Sequence, residues 1–194
     1  MALRRRNLVL VSCVVFALIL TLIVVYFTAL RHEGGPLNLG TYPPSVGLGV
    51  NVGENMTYGE VIMRNEGSQS IVVEDAELLT HDGGATVTDV RLLDADAVPG
   101  GSLVGVDFGF NPPGAAVRVA GAVMEPSHEA RKKSYQLIFS IRLNDSGGTQ
   151  FDAVRVWYRI ASRKYVTSSP FYLRLCTPRG VTCEGAPPAP PKNQ

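Results

Sequence analysis

Three histidines, three cysteines and one tryptophan are little chemistry for a chain of 194 residues. No His-Glu-x-x-His pair, no glycine-rich loop ending in Gly-Lys-Ser/Thr and no Gly-x-Ser-x-Gly elbow occurs. Zinc-protease, phosphate-loop and nucleophile-elbow chemistry therefore have no local signature. An excess of one charge is missing too, because 18 Lys and Arg stand against 17 Asp and Glu. What the chain has instead is apolar bulk, 45% hydrophobic against 18% charged, and much of it lies in one block near the N-terminus.

That block follows Arg4, Arg5 and Arg6, and Leu8 to Leu30 then runs for 23 residues without a charge. At about 1.5 Å per residue a helix of this length reaches ~34 Å, enough to cross a hydrocarbon core of about 30 Å. In lipid every backbone polar group must be satisfied inside the segment, so a transmembrane helix is expected over 8–30. Tyr26 and Phe27 stand near its outer end, where aromatic rings favour the headgroup level. A cleaved signal peptide is the competing reading, but the run is longer than the usual apolar stretch and small residues are poorly placed for a cut. Cys13 lies inside the run instead of at its end, which argues against a lipid-modified cysteine. The arginine triplet keeps residues 1–7 in the cytoplasm and sends the rest outside. Beyond residue 33 there are 14 Lys and Arg against 16 Asp and Glu, a net charge of −2, and so no footprint for nucleic acid.

In that oxidising compartment Cys176 and Cys183, with Thr-Pro-Arg-Gly-Val-Thr between them, are expected to be bonded, two free thiols being the alternative. Pro178 and Gly180 favour the tight turn a bridge needs. A tetrahedral metal site lacks the remaining ligands. Residues 31–44 carry Gly34, Gly35, Pro36, Gly40, Pro43 and Pro44, a composition suited to a stalk. Residues 184–194 are Pro-rich and read as an extended tail. The folded domain is then 45–183.

Within it the dominant period is two. Tyr135, Leu137, Phe139, Ile141 and Leu143 share one face, with Gln136, Ser140 and Arg142 opposite, which predicts a half-buried strand with its polar set towards solvent. Val154, Val156, Tyr158 and Ile160 repeat the pattern after Asn144-Asp-Ser-Gly-Gly148, and Phe171, Leu173 and Leu175 repeat it again, suggesting three consecutive antiparallel strands. Weaker strands are expected at 46–52, 58–64, 71–79, 85–93, 103–110 and 116–124. Seven to nine short strands at this spacing predict an all-β, antiparallel β-sandwich, immunoglobulin-like in outline although the Cys…Trp…Cys spacing of antibody domains is absent.

The stretch Tyr58-Gly-Glu-Val-Ile-Met-Arg-Asn-Glu-Gly67, Ile71 to Leu79, Val154-Arg-Val-Trp-Tyr-Arg159 and Leu173-Arg-Leu-Cys176 resembles membrane-anchored hypothetical proteins of actinobacteria. The resemblance covers most of the exported domain. It implies an extracytoplasmic immunoglobulin-like sandwich and brings no activity with it.

Candidate sites are few. His32 stands beside the membrane segment, while His81 and His128 sit in turn-like contexts, the ordinary setting of a solvated histidine. Gly47-Leu-Gly-Val-Asn-Val-Gly53 has the wrong spacing for a dinucleotide loop and reads as glycine relieving a crowded strand. Asp94 and Asp96 are too few for calcium, and Arg131-Lys-Lys133 reads as exposed. Asn55-Met-Thr57 and Asn144-Asp-Ser146 match the glycosylation pattern. Among Trp157, Tyr165, Phe171 and Tyr172, alternation turns Trp157 and Tyr172 outward on adjacent strands, where they would form a flat amphipathic patch suited to a sugar ring or a protein hot spot. The expectation is a membrane-tethered, non-enzymatic interaction module of the cell envelope with an extracytoplasmic protein partner. A carbohydrate-binding domain ranks second and a hydrolase third. No catalytic, metal or cofactor residues are expected.

Overall fold

A computed structural model describes residues 32–40, 46–80, 82–98, 105–127 and 132–183. The chain divides into two compact units, Met1–His32 and Glu33–Gln194. The basic segment 1–7, the apolar run 8–30 and the tail 184–194 lie outside the described residues, as do His81 and His128. Among the described residues no helix is long and apolar enough to cross a membrane.

The second unit is all-β. Its strands are β1 (His32–Glu33), β2 (Leu37–Leu39), β3 (Val46–Gly49), β4 (Asn55–Asn65), β5 (Ile71–Thr80), β6 (Ala85–Asp94), β7 (Val106–Phe108), β8 (Val117–Arg118), β9 (Val123–Met124), β10 (Tyr135–Leu143), β11 (Thr149–Ile160) and β12 (Arg163–Cys176), with one 3-10 turn at Ala95–Ala97. One sheet runs β1-β12-β11-β5-β9, with β3 joining β12 in parallel, and the other runs β2-β4-β10-β6-β8, with β7 joining β4. The orders β2-β4-β10-β6 and β5-β11-β12 match the A-B-E-D and C-F-G sheets of an immunoglobulin-type sandwich. β2 and β3 divide the first strand between the two sheets, antiparallel to β4 and parallel to β12.

A single core lies between the sheets. Met56, Tyr58, Val61 and Met63 of β4, Leu137, Phe139 and Ile141 of β10, Val154, Val156 and Tyr158 of β11, and Leu173 and Leu175 of β12 all belong to it. The alternation of β4 shifts phase between Tyr58 and Val61 because its register against β10 slips there, a bulge at Gly59 and Glu60. Inward residues are even-numbered before that bulge and odd-numbered after it.

Several sequence expectations change. Residues 32–40 contain two strands hydrogen-bonded into the sheets, so within the segment read as a stalk the folded unit already begins near residue 33. β10 does not pair with β11. It pairs with β4 and β6, and the turn 144–148 carries the chain across to the other sheet. Alternation could not reveal this, since both strands turn an apolar face towards the same core. The polar face of β10 is also covered: Gln136 and Ser140 are buried and only Arg142 is exposed. Gln136 Nε2 donates to the Gly59 carbonyl, and Thr88 Oγ1 donates to Ser140 Oγ at 2.7 Å. Beside them Ile138 packs with Leu93 and Ala116 in a second small cluster flanked by Val98 and Phe110. Among the described residues, the strands expected at 103–110 and 116–124 are the short β7, β8 and β9. After Pro112 and Pro113 the chain crosses from β6 to β5, turning at Gly121 with φ +83°, and touches each sheet for only two residues.

Candidate functional site

The outer face of the β12-β11-β5 sheet carries the residues singled out from the sequence. On β11 the outward positions are Arg155, Trp157 and Arg159, because Val154, Val156 and Tyr158 point into the core. Trp157 faces Val166 across to β12 and Asp75 across to β5. Arg155 stands opposite Ser168 and Glu77 in the same way; its Nη1 lies 3.4 Å from Glu77 Oε1 and its Nε 3.4 Å from Ser168 Oγ. The Arg155 guanidinium is 5.8 Å from the Trp157 ring centroid, so cation and ring form one amphipathic unit. Gly34, Arg155, Trp157, Val166, Thr167 and Ser168 line an open concavity of about 530 Å³. The arrangement offers one aromatic ring, one cation and the Ser168 hydroxyl to something outside the sandwich, while Thr167, opposite inward Val156, lines the concavity from the inner side of the strand.

Tyr172 is on the same face but not beside Trp157. Trp157 is level with Val166, and Tyr172 lies six residues further along β12, a separation of about 20 Å at strand rise. Its hydroxyl donates to Gln150 Oε1 at 2.9 Å. The single patch of Trp157 and Tyr172 expected from alternation is therefore two separate places. Phe171 is inward and stacks on Tyr58 with ring centroids 5.8 Å apart. Tyr165 stacks on buried Tyr158 at 5.3 Å. The Tyr158 hydroxyl donates to the Gly34 carbonyl at 2.9 Å, and burial raises its pKa. That bond fixes the segment which forms the rim of the Trp157 concavity. Sequence reading singled out Trp157 but not Arg155 or Glu77; the signal was present in the outward alternation of Arg155, Trp157 and Arg159.

Cys176 and Cys183 are bonded, with Cα atoms 5.7 Å apart. The loop they close lies on β3. A Cβ at Gly49 would meet the carbonyl oxygens of Pro178 at 2.7 Å and Val181 at 2.8 Å, and one at Gly47 would meet Cys183 Cβ at 3.1 Å. Gly47 and Gly49 are thus the relief of a crowded strand, as their spacing suggested. Arg179 of this loop lies over the Phe108 ring at 3.5 Å and pairs with Glu54 at 3.0 Å.

The remaining candidates have structural explanations. Asp94 caps the 3-10 turn through the Asp96 N–H and pairs with Lys133 at 3.0 Å. Lys133 also meets Glu125 at 2.8 Å, and the Glu125 hydrogen bond, with that of Asp94, raises its pKa well above the ordinary lysine value. In the Asn55-Met-Thr57 stretch Asn55 is exposed, while Thr57 is buried and donates to the Gly109 carbonyl at 2.6 Å. Asn144 donates to Thr86 Oγ1 at 2.9 Å.

No family model matches the chain, and no curated protein matches it. Among solved structures it is similar to the PapD-like domain 7 of human CEP192, an ASH / PapD-like domain, at TM-score 0.38 and 10% identity over 79% of this chain and 98% of that one. It is also similar to the VesB protease of Vibrio cholerae, at TM-score 0.36 and 9% identity over 72% of this chain and 32% of the protease. The secreted serine protease VesC of the same organism gives TM-score 0.30 and 14% identity over 72% of this chain and 23% of that one. The chain thus spans about a third and a quarter of the two proteases.

Proposed function

We propose that this chain is a membrane-tethered, non-enzymatic interaction module of the cell envelope, which holds an extracytoplasmic protein through the outer face of the β12-β11-β5 sheet around Trp157. The observation that carries the reading is the Arg155–Trp157–Val166–Ser168 concavity, an aromatic anchor with a cation and the Ser168 hydroxyl at its rim on an open sheet face. Buried aromatic and arginine side chains at the centre of an interface supply most of the binding energy. The tether is the uncharged run 8–30, and the arginine triplet before it sets the orientation.

The surface is tested by capturing partners with the wild-type chain and with Trp157→Ala. Loss of the partner with unchanged thermal stability supports it. Retention of the partner overturns it, and so does a loss of stability large enough to show that the ring is core. The double variant His81→Ala, His128→Ala is expected to keep binding; loss of function with folding intact would favour a hydrolase instead. For the tether, alkaline phosphatase fused after Gln194 is expected to be active and a fusion before Leu8 inactive, and the reverse result overturns the orientation. A carbohydrate ligand would use the same tryptophan ring, with Arg155 and the Ser168 hydroxyl beside it. Retention of the wild-type chain, but not Trp157→Ala, on cell-wall polysaccharide would favour it.

A further inference from the structure

We propose that the tip of the β11–β12 hairpin is a phospholipid contact, seated on an anionic bilayer surface by Arg159, Arg163 and Lys164. The inference rests on the tether reading above and adds to it the face that the domain turns towards the membrane.

The first support is charge. Residues 159–164 read Arg-Ile-Ala-Ser-Arg-Lys, three cations in six residues with no acid among them. All three cations are exposed. Ion pairs among the described residues engage Arg155, Lys133, Arg91 and Arg179 but none of these three. Among the described residues Arg159 reaches only the carbonyl of Ala161, at 3.4 Å. They form an unneutralised cationic tip on a domain whose net charge beyond residue 33 is negative.

The second support is where the chain joins the sheet. β1 is the neighbour of β12, and the Gly34 N–H donates to the Val166 carbonyl at 3.1 Å. Val166 is three residues from Arg163, about 10 Å at strand rise. The apolar run ends at Leu30, and the four steps from there to Gly34 span at most about 14 Å. With residues 8–30 in a bilayer, these two spans and the ~5 Å between β1 and β12 keep the hairpin tip within roughly 30 Å of the hydrocarbon edge, about half of which is occupied by the headgroup layer and the charge screening length beyond it. A modest tilt brings the cations onto the phosphates. Each Lys or Arg near an anionic surface biases the equilibrium by about fivefold, so three together favour the docked orientation by roughly 100-fold. Docking this tip leaves the opposite end of β12, with the disulfide loop, facing away from the bilayer.

The test uses the full chain with Cys13→Ala and a fluorophore on Ser162→Cys, reconstituted into vesicles that carry headgroup-attached quencher. One vesicle preparation is phosphatidylcholine; the other is an equal mixture with phosphatidylglycerol. Quenching is expected in the anionic vesicles, weak in the neutral ones, and reversed by high salt. The triple variant Arg159→Gln, Arg163→Gln, Lys164→Gln should lose it, with a thermal melt matching the parent; should that variant misfold, the salt titration of the parent decides. A chain that floats with the vesicles while its label is quenched equally in both lipids, or is insensitive to salt, overturns the inference and leaves the tether standing. A chain that floats with neither preparation overturns the tether itself.

Discussion

Ile138→Ala distinguishes a sheet covered on both faces from one with a solvent face. Simple alternation along β10 places residue 138 with Gln136, Ser140 and Arg142 on the outer side, where truncation of an aliphatic side chain would cost well under 1 kcal/mol. In the structure Ile138 is fully buried against Leu93 and Ala116, with Val98 and Phe110 packed around them. Removing three carbons from a buried site at about 0.8 kcal/mol each loses ~2.4 kcal/mol in transfer alone, and the cavity left behind adds to it. The covering segment is irregular and able to settle inward, which keeps the cavity contribution small, so the expected total is about 2.5 to 3.5 kcal/mol, in the lower half of the range for such truncations. Phe139→Ala, into the main core beside Tyr58 and Val90, should cost about 3 to 5 kcal/mol, and exposed Arg142→Ala under ~0.5. Urea unfolding followed by the single tryptophan, Trp157, gives all three at constant slope. A cost below ~1 kcal/mol for Ile138→Ala would refute the double-sided cover, and equal costs for Phe139→Ala and Arg142→Ala would refute the register.

Gly49→Ala should destabilise by about 1 to 3 kcal/mol, since the new methyl meets backbone oxygens of the disulfide loop; an unchanged melting temperature would mean that the loop does not rest on β3. Replacing Cys176 and Cys183 together by Ser should cost about 2.5 kcal/mol in the chain-entropy model without unfolding the domain, and free thiols in the mature chain by intact mass would contradict the bridge. Burial alone would raise the pKa of Asp82, but hydrogen bonds from Thr149, Gly84 and Thr80 outweigh it and hold the carboxyl below its ordinary value of 3.8. Because the folded pKa is the lower one, the stabilisation is present above about pH 4 and fades as acid protonates the folded state; Asp82→Asn should flatten the pH dependence of stability in that window, and an unchanged profile would contradict it.

The sandwich was legible because its core strands place apolar residues at period two on the inward face, a pattern kept along β12 and, although both its faces are covered, along β10. The phase break in β4 is visible too, in the step from Met56 and Tyr58 to Val61 and Met63. Pairing was not legible, because β10 and β11 look alike from the core and only the turn at 144–148 decides which sheet each joins. Burial of Gln136 and Ser140 was hidden for a different reason, since partners distant in sequence, Gly59 and Thr88, satisfy polar groups that alternation assigns to water. Strands β1 and β2 escaped notice because glycine and proline around them resemble a linker, although Leu37 and Leu39 alternate with Asn38 and are buried. At the candidate site the outward stripe of Arg155, Trp157 and Arg159 follows from strand period alone. The separation of Trp157 from Tyr172 needed the register between β11 and β12, which no local pattern supplies.

Photocrosslinking in cells tests the interaction surface most directly. A photoreactive amino acid at Val166, the cross-strand partner of Trp157, is compared with one at Val181 in the exposed disulfide loop. The account predicts a discrete protein adduct from position 166 that disappears when Trp157 is changed to Ala, and none from position 181. An adduct from position 181 alone, or one at 166 that persists without the tryptophan, would contradict it.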